Sequence, residues 1–467
     1  MQNLPYDINN KKSIINYAKQ LVNKSLRDIC NEDIVSNKNN KGGFGQLLEK
    51  FYFLYEPNSE TEPDFKEVNL ELKSSPIKKL KRLDYVSKER LVLNIINYLD
   101  IVNEKFHNSS LLKKNKNLLL IFYLYEKNKN KLDFRIDIVD EWQFSNIDLE
   151  IIKQDWETIQ KKIIDGKAHE LSEGDTLYLG ACTKGSKGGN LREQPFNKIK
   201  AKQRAFSLKQ GYVNHIIATL NKNNNQNYGK LIPSLSVLKQ NTLEEVVYSK
   251  FKKYFNMTTN EIQTIINIHL NCKAKSYYAN LVKAILGVEL NKEIEEFQKA
   301  DISVKTIRLD IKNKPKEQIS FPAFKFEDLV KEKWEESKIN DILEKRFLFI
   351  FFKMDEHGLF KLSKIKFWNM PYKDRKEVKK VWQKTKDVIK SGNIVNSTYI
   401  NKSGKLIRKT NFPNKKFNKI AHVRPHANVA SDTYPLPIID KFTQSHFYTK
   451  QCFWLNSDYV RDEIYMK

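Results

Sequence analysis

The sequence predicts a mixed α/β (α+β) fold in two tandem domains, each with a central mixed sheet flanked by helices. The chain has 467 residues, whereas one hydrophobic core usually organises roughly 100–200. Apolar runs of strand length alternate with stretches in which apolar residues recur at helical spacing. Blocks of sequence also recur in the same order in the two halves, which indicates a duplicated domain.

The elements of the first half follow in order from these spacings. Helices are predicted in "SIINYAKQLVNKSLRDIC" and "GFGQLLEKFYFLY", which both carry an apolar stripe. Strands are predicted at 68–73 and at "NLLLIFYLYE" (117–126). A helix around "DWETIQKKIIDGK" (155–167), a polar glycine-bearing loop and a last strand-like segment near 204–213 complete this half.

A boundary between the halves is predicted where the composition changes. The segment "NKNNNQNYGKLIPSLS" (221–236) is rich in asparagine and contains proline and serine near its end, which is typical of loops and linkers. The sequence therefore predicts domains at 1–222 and 239–467, joined by a linker at 223–238.

The second half repeats five blocks of the first. "AKSYYANLVKAILG" (274–287) aligns with "NKGGFGQLLEKFYF" (40–53), and "EFQKADISVKTI" (296–307) aligns with "DFKEVNLELKSS" (64–75). "KRFLFIFFK", "VWQKTKDVIKSGN" and "KQCFWLNSDYV" also have counterparts in the first half. This alignment keeps a lysine, Lys73 as Lys305, and replaces three acids: Glu49 by Lys283, Asp64 by Glu296 and Glu71 by Ser303. We therefore expect the chemistry to lie in the first copy.

The charge of the chain indicates the class of its partner. The net charge is +26 and the pI is near 9.5. Part of the lysine excess accompanies abundant asparagine, as in AT-rich coding sequences, but such a surface still favours nucleic acid.

Cysteine usage and hydropathy exclude several other classes. The four cysteines form no C-x-x-C pair, which argues against a zinc ribbon and a disulfide framework. The N-terminus lacks the apolar core of a signal peptide, and the longest apolar runs fall short of the ~20 residues that span a bilayer. A cytoplasmic protein with no membrane partner is predicted.

An acidic pattern surrounds the first predicted strand, in "EPDFKEVNLELKSSP" (62–76). Side chains alternate along a strand, so Glu71 and Lys73 point to the same face. Asp64 and Glu71 are hard oxygen ligands suited to Mg²⁺, which often takes one or two carboxylates. Lys73 can contact an attacking water or a phosphate oxygen, and Glu49, on the preceding helix, can complete the metal shell or take a proton. A solvated charged edge is the alternative interpretation of so short a pattern.

The combination of motifs resembles a known family. "KGGFGQLLEKF…EPDFKEVNLELKSSP" is similar to the MutH-type nuclease domain, a branch of the PD-(D/E)xK restriction-endonuclease fold. The resemblance continues through "SKERLVLNIINY", "KAHELSEGDTLYLG", "CTKG" and "KAKQRAFSLKQGY". Across both halves the chain looks like the Sau-type double-domain restriction endonucleases, in which a MutH-like catalytic domain precedes a degenerate MutH-like domain.

The resemblance implies a set of functional residues. The family's catalytic residues match Glu49, Asp64, Glu71 and Lys73 of this chain, with Asp64 and Glu71 as the implied metal ligands. A further family lysine precedes the next central strand, and its best match is Lys114, with Lys113 and Lys116 as close rivals. Lys41 lies eight residues before Glu49, where the family places a lysine, and a phosphate contact is implied.

The family's recognition loop falls on "CTKGSKGGNLREQPFNKIKAKQR". Its glycines allow a close approach to DNA, and the predicted DNA-binding residues are Lys184, Lys187, Arg192, Lys200, Lys202 and Arg204. The related mismatch-repair nickase has a tyrosine linked to sensing adenine methylation where this chain has Ser207, so methylation sensitivity stays open. In the second copy, Arg424, His426 and Lys450 are the predicted DNA contacts of an effector site, and a metal pair of His422 with His426 is the less favoured alternative.

The resemblance implies a type II restriction endonuclease that makes Mg²⁺-dependent double-strand cuts in DNA at GATC sites. The second domain is expected to bind a second site as an allosteric effector. A monomer in solution would pair with a second chain on the DNA, and a cognate DNA methyltransferase would belong to the same restriction–modification system. Two alternatives remain: a mismatch-repair GATC strand nickase, and a non-catalytic DNA-binding regulator on a nuclease fold.

Overall fold

The computed structural model describes residues 4–29, 43–57, 61–80, 84–184, 191–221, 228–401, 404 and 406–467. The chain divides into two compact units, Met1–Val247 with Gly287–Ile302 and Tyr248–Leu286 with Ser303–Lys467. Each unit contains both helices and sheets, so the predicted mixed fold class is confirmed. The predicted linker at 223–238 and the domain limits derived from it stay predictions.

The α-helices of the described residues are, in chain order, α1 Lys11–Lys19, α2 Leu26–Ile29, α3 Phe44–Phe51, α4 Ser110–Asn115, α5 Asn146–Ile164, α6 Gln210–Leu220, α7 Leu235–Gln240, α8 Leu243–Lys252, α9 Thr259–Ile266, α10 Tyr277–Leu286, α11 Glu295–Lys299, α12 Phe326–Lys331, α13 Lys338–Leu343, α14 Tyr372–Ser391 and α15 Ser457–Tyr459. A π-helical turn, Val460–Tyr465, follows α15. No helix of the described ranges is long and apolar enough to cross a membrane.

The strands are β1 Glu71–Lys79, β2 Tyr85–Ser87, β3 Leu91–Ile95, β4 Asn117–Leu124, β5 Ile136–Gln143, β6 Leu179–Thr183, β7 Leu191–Gln194, β8 Asn197–Lys202, β9 Arg204–Leu208, β10 Tyr228–Gly229, β11 Glu293–Ile294, β12 Ser303–Leu309, β13 Phe347–Met354, β14 Phe360–Trp368, β15 Val395–Ile400, β16 Leu406–Thr410, β17 Ala421–Pro425, β18 Thr433–Pro435, β19 Phe447–Thr449 and β20 Gln451–Leu455.

The first unit contains a four-stranded sheet in the order β2-β1-β4-β5. β1 and β4 are parallel, with Glu71 opposite Leu118, and the two outer strands are antiparallel to their neighbours. The apolar run 118–122 of β4 is fully buried, as expected for a central strand with both faces covered. Residues of α1 and α3 share one core cluster with Leu119 and Ile121, which fixes α3 against the sheet.

A second sheet of the first unit has the order β3-β9-β6, with β9 antiparallel to both neighbours. The hairpin of β7 and β8 leads directly into β9. Arg204 begins β9, and its carbonyl accepts a hydrogen bond (2.9 Å) from the backbone N–H of Ile96, which lies just after β3. The end of β3 is thereby held beside the segment that carries the predicted recognition residues.

The second unit has a sheet in the order β12-β13-β14. β12 and β13 are parallel, with Ser303 opposite Phe347, and β14 is antiparallel to β13. This is the pairing of β1, β4 and β5 in the first unit. The core of the second unit includes β13 phenylalanines and Trp382 of α14, and β17 pairs with β20 in a separate antiparallel sheet.

The first unit also includes residues 287–302, which lie in the second half of the sequence. Lys299 of α11 is buried and its Nζ lies 2.9 Å from Oδ1 of Asp148 and 2.7 Å from Oε1 of Glu295. The Tyr212 hydroxyl donates to Oδ2 of Asp148 (2.9 Å). A β-carbon on Gly211 would lie 2.0 Å from the Gln298 carbonyl oxygen, so glycine allows the close approach of α6 and α11.

Candidate active site

Helix α3 places Glu49 near the start of β1. Its apolar face buries Phe44, Leu47 and Leu48, and the Phe44 ring stacks on Tyr123 of β4 with centroids 3.8 Å apart. A β-carbon on Gly45 would lie 3.0 Å from Oγ of Ser74 and 3.8 Å from Oε1 of Glu49. Glycine at this position therefore lets the helix lie close to β1 beside the Glu49 carboxylate.

A closed turn brings Asp64 back to the first residues of β1. Phe65 and Leu70 exchange backbone hydrogen bonds of 3.0 and 3.1 Å, so the chain between them folds on itself. The Asp64 N–H then donates to Oε2 of Glu71 (3.0 Å), and the Leu72 N–H donates to Oδ2 of Asp64 (3.0 Å). These reciprocal hydrogen bonds fix the two carboxylates at neighbouring positions.

Two lysines lie beside the Glu71 carboxylate, which is 2% exposed. The Nζ of Lys73 lies 2.6 Å from Oε1 of Glu71, and the Nζ of Lys114, on α4, lies 3.8 Å from the same oxygen. Of the three rival lysines, Lys114 is buried and lines the site, whereas Lys113 and Lys116 are exposed.

The electrostatics of the site favour a bound cation. Burial raises the pKa of Glu71 to about 7, with a further rise from Asp64 that Lys73 and Lys114 oppose. The pKa of Glu49 is raised by burial and then by Asp64. Burial thus makes the negative charge of these carboxylates less favourable than it is in water, although two ammonium groups are close, and a bound cation would offset that cost.

These carboxylates fit a hard divalent cation that takes its other ligands from outside the protein. The described residues contain no group of three or more His, Cys, Asp or Glu side chains arranged to hold a metal. Mg²⁺ typically takes one or two carboxylates and completes its octahedron with water and phosphate oxygens. Asp64 and Glu71 are suited to that mode of binding, because both present carboxylates to one cleft.

All five predicted catalytic residues line this cleft, which has a volume of about 440 Å³. The residues are Glu49, Asp64, Glu71, Lys73 and Lys114. The cleft is also lined by residues 93–97, at the end of β3, and by Phe206 of β9. The fold therefore brings together groups that lie up to 65 positions apart in the sequence.

Three residues of this region were not singled out from the sequence. Asp100 and Glu104 line the cleft, and the Tyr55 hydroxyl is buried with no hydrogen-bond partner among the described residues. The pKa of Tyr55 is raised by burial and then by Asp64, Glu49 and Glu71. No local pattern marks these residues, because each reaches the site through the tertiary fold.

The predicted DNA-binding residues of the first unit differ in exposure. Arg192 and Lys200 are exposed on the β7–β8 hairpin, and Lys184 and Lys202 are half-buried. Arg204 is 6% exposed, and its guanidinium donates to the carbonyls of Ala181 and Leu171. Its hydrogen bonds serve the interior of the unit, which argues against a DNA contact. Lys41 and Lys187 lie outside the described residues.

Ser207, at the position linked in the nickase to methylation sensing, lies on β9 between β3 and β6 and is fully buried. A side chain at this place cannot touch DNA unless the sheet opens.

In the second unit, two of the three predicted effector residues lie beside Trp454. The Arg424 guanidinium lies 4.4 Å from the Trp454 ring centre, and the His426 ring lies 5.8 Å from it. Lys450 is ion-paired with Asp432. His422 is 4% exposed and its Nδ1 lies 2.6 Å from Oδ1 of Asn456, so its ring is engaged inside the unit.

The acids lost from the second copy leave its retained lysine in a different environment. Ser303 begins β12 where Glu71 begins β1, and burial lowers the pKa of Lys305. The carboxylate of Glu296 accepts hydrogen bonds from the backbone N–H groups of Leu231 and Ile232 at 2.9–3.0 Å. Glu296 therefore stabilises the backbone near residue 231.

Comparison with known proteins places the chain in a family. The family model described as DNA mismatch repair enzyme MutH matches residues 53–155, which include most of the cleft. Over 97% of this chain and 98% of the relative, the sequence is 38% identical to the type II restriction enzyme Sau3AI of Staphylococcus aureus. The chain belongs to the Sau3AI family of type II restriction enzymes.

A second relative matches about a third of the chain. The DNA mismatch repair protein MutH of Buchnera aphidicola subsp. Baizongia pistaciae (strain Bp) is 28% identical over 166 residues, which span 35% of this chain and 74% of that protein. The predicted MutH-like, Sau-type resemblance is confirmed.

As a member of the Sau3AI family, the chain is a type II restriction endonuclease with a MutH-like nuclease domain. The alternative of a non-catalytic regulator is therefore wrong. Restriction enzymes and MutH proteins act on DNA, and type II restriction nucleases depend in general on divalent metal ions.

Proposed function

We propose that this enzyme makes Mg²⁺-dependent double-strand cuts in DNA at GATC sites, using the cleft of the first unit. The observation that carries the proposal is the convergence of Glu49, Asp64, Glu71, Lys73 and Lys114 on one cleft. Asp64 and Glu71 would hold the metal. The tetranucleotide rests on the sequence resemblance described above.

Each residue of the cleft has a role that follows from its chemistry. A bound Mg²⁺ would supply positive charge to the attacked phosphate and lower the pKa of a coordinated water. Lys73 and Lys114 are placed to offset the negative charge that develops on the phosphate oxygens. Glu49, with its raised pKa, is suited to accept a proton from an attacking water.

The basic residues of the β7–β8 region would hold the duplex over the cleft. Lys184, Arg192, Lys200 and Lys202 are the proposed contacts among the described residues, and Lys41 and Lys187 are proposed from the sequence. Such contacts position the phosphates, and base readout within this segment would give specificity.

The second unit would bind a second copy of the target and act as an effector. It keeps Lys305 but has serine at the position of Glu71, and an acid-poor surface repels phosphate less. Arg424, His426 and Lys450 are the proposed contacts. One catalytic cleft per chain cuts one strand, so two chains would meet on the DNA. A cognate methyltransferase would protect the cell's own sites.

Incubation of the purified protein with plasmids tests this function. We expect a plasmid with GATC sites to be linearised in Mg²⁺ and to remain intact in EDTA. The control is the same plasmid with every GATC changed. Accumulation of nicked circles without linear product would support the strand-nickase alternative, and cutting of the control plasmid would reject the proposed sequence.

A further inference from the structure

The β7–β8 hairpin presents an aromatic side chain in an unfavourable backbone conformation. Pro195 and Phe196 form its two-residue turn, and Gln194 pairs with Asn197 across it. Phe196 has a φ of 62°, in the left-handed region, where turns favour glycine or asparagine and a bulky side chain is a genuine outlier. Its side chain is 75% exposed, so burial does not compensate for this conformation.

The turn is fixed to the body of the first unit on both flanks. Gln194 is 6% exposed, and its Oε1 accepts a hydrogen bond from the Ala168 N–H (2.8 Å). The Nδ2 of Asn197 donates to the Gly166 carbonyl (2.8 Å). The Phe196 ring therefore projects from a rigid support, and its exposure is a property of the fold.

The hairpin carries several exposed basic residues, and its base adjoins the catalytic cleft. Arg192, Lys198 and Lys200 are exposed on it, as is Glu193, whose carboxylate lies 3.7 Å from the Lys200 ammonium. The Tyr98 hydroxyl donates to the Lys202 carbonyl (2.5 Å), and Ile96, which lines the cleft, is hydrogen-bonded to Arg204. An apolar ring at the tip of a basic hairpin whose base adjoins a nuclease cleft is complementary to a DNA duplex, which offers phosphates outside and base faces inside.

We propose that Phe196 is a wedge that stacks on a base step of the bound duplex, while the lysines of the hairpin hold the flanking phosphates. Unstacking a base step costs free energy, and the contact of the ring with the exposed base offsets it. In the restriction reaction the wedge would contact the bound DNA, and it takes no part in bond breaking. Local backbone strain of this kind is retained where it serves function.

The strain allows a test that separates binding from folding. Phe196→Gly and Phe196→Asn relieve the left-handed conformation, so we expect the thermal midpoint to stay equal or rise. With the wedge removed, kcat/KM for plasmid cleavage should fall about 10-fold, the range expected for loss of one aromatic–base stack. Phe442→Ala removes another exposed phenylalanine, 52% exposed, and should cleave as the wild type does.

A second readout reports the stacking itself. A duplex with the cleavage site and 2-aminopurine at successive flanking positions should brighten on binding wild-type protein in EDTA, because an unstacked 2-aminopurine fluoresces more strongly. Phe196→Gly should bind without this rise, and Phe196→Trp should restore cleavage. Wild-type cleavage and fluorescence in Phe196→Gly would overturn the proposal. A lower thermal midpoint in both the Gly and Asn variants would also overturn it, because the ring would then serve folding.

Discussion

The ammonium nitrogen of Lys73 lies 2.6 Å from Oε1 of Glu71, a carboxylate that is 2% exposed. The two residues are two positions apart on β1 and share one face of the strand. Removal of Lys73 would leave the buried Glu71 carboxylate with the more distant ammonium of Lys114, at 3.8 Å, and loss of a close partner is costly for a buried charge. Lys73 and Glu71 are therefore expected to respond together to substitution, pH and metal.

Substitution of the cleft residues should abolish cleavage and leave DNA binding in place. Asp64→Ala, Glu71→Ala and Lys73→Ala should each lower kcat by about 100-fold or more, because charge stabilisation acts in the transition state. Lys305→Ala is the matched control, since this lysine is the third residue of β12 as Lys73 is the third residue of β1, and it should keep wild-type kcat. Plasmid cleavage and gel-shift binding measure the two properties. Normal cleavage by Asp64→Ala or Glu71→Ala would reject the assignment.

Metal binding should weaken as the pH falls below about 7. Glu71 has a pKa raised to about 7 in the protein without metal, and a carboxylate must lose its proton to bind a cation. The apparent Mg²⁺ affinity should fall up to about tenfold per pH unit below that value and level off above it. Calorimetric titration at pH 6, 7 and 8 measures this, and Glu71→Gln, which lacks one of the proposed ligands, should bind Mg²⁺ more weakly and with a smaller dependence on pH. An affinity that is constant across this range would contradict the expectation.

The same raised pKa has a defined effect on stability. The native protein keeps the Glu71 proton up to about pH 7, whereas the unfolded chain loses it near the ordinary value of about 4.3. The native state thus binds more protons between these values, and this group's contribution to stability falls as the pH rises through the window.

Two tyrosines of the first unit should respond in opposite ways to removal of the hydroxyl. The Tyr55 hydroxyl is buried without a partner among the described residues, so Tyr55→Phe should leave the free energy of unfolding unchanged or raise it by about 1–3 kcal/mol. The Tyr6 hydroxyl donates to the Phe53 carbonyl (2.6 Å), and Tyr6→Phe should lower it by about 1–3 kcal/mol. Urea unfolding of both variants measures the difference. A larger loss in Tyr55→Phe than in Tyr6→Phe would show that the Tyr55 hydroxyl has an essential partner.

Substitution of two arginines of the predicted recognition segment should change two different properties, stability for Arg204 and DNA binding for Arg192. Arg204→Ala removes the guanidinium donors from the carbonyls of Ala181 and Leu171, and should lower the free energy of unfolding by about 2–4 kcal/mol. Arg192 is exposed, so Arg192→Ala should keep stability and lower the salt slope of DNA binding by about one. Urea unfolding and binding titrations at several salt concentrations check both. Unchanged stability in Arg204→Ala would contradict its structural role.

The effector role of the second unit predicts a dependence on the number of sites. A plasmid with two GATC sites should be cut faster than a plasmid with one, and a short GATC duplex should stimulate the one-site plasmid. Arg424→Ala and Lys450→Ala should reduce this stimulation and keep the basal rate. Equal rates on both plasmids without stimulation would leave the second unit as a scaffold.

The sequence predicted the central part of the cleft because local rules govern it. The period of two along β1 places Glu71 and Lys73 on one face whatever the rest of the fold does. The duplication located the equivalent strand, and Ser303 does begin β12 in the register of Glu71.

Other features depend on tertiary contacts that no local pattern encodes. Arg204 belongs to a run of basic residues, and its burial follows from the approach of the segments that carry Ala181 and Leu171. Asp100 and Glu104 reach the cleft from a connection after β3. The left-handed φ of Phe196 follows from turn geometry, which the residue type alone would have argued against.

The burial of Lys299 beside Asp148 also bears on where this chain can be truncated. The lysine comes from the second copy and its partner from the first, and both are buried. A fragment that ends near residue 238 would lack α11, and Asp148 would lose the ammonium of Lys299. Breaking such a buried pair is destabilising. A chain cut after the first half of the sequence is therefore expected to be less stable than the first unit is in the full-length protein.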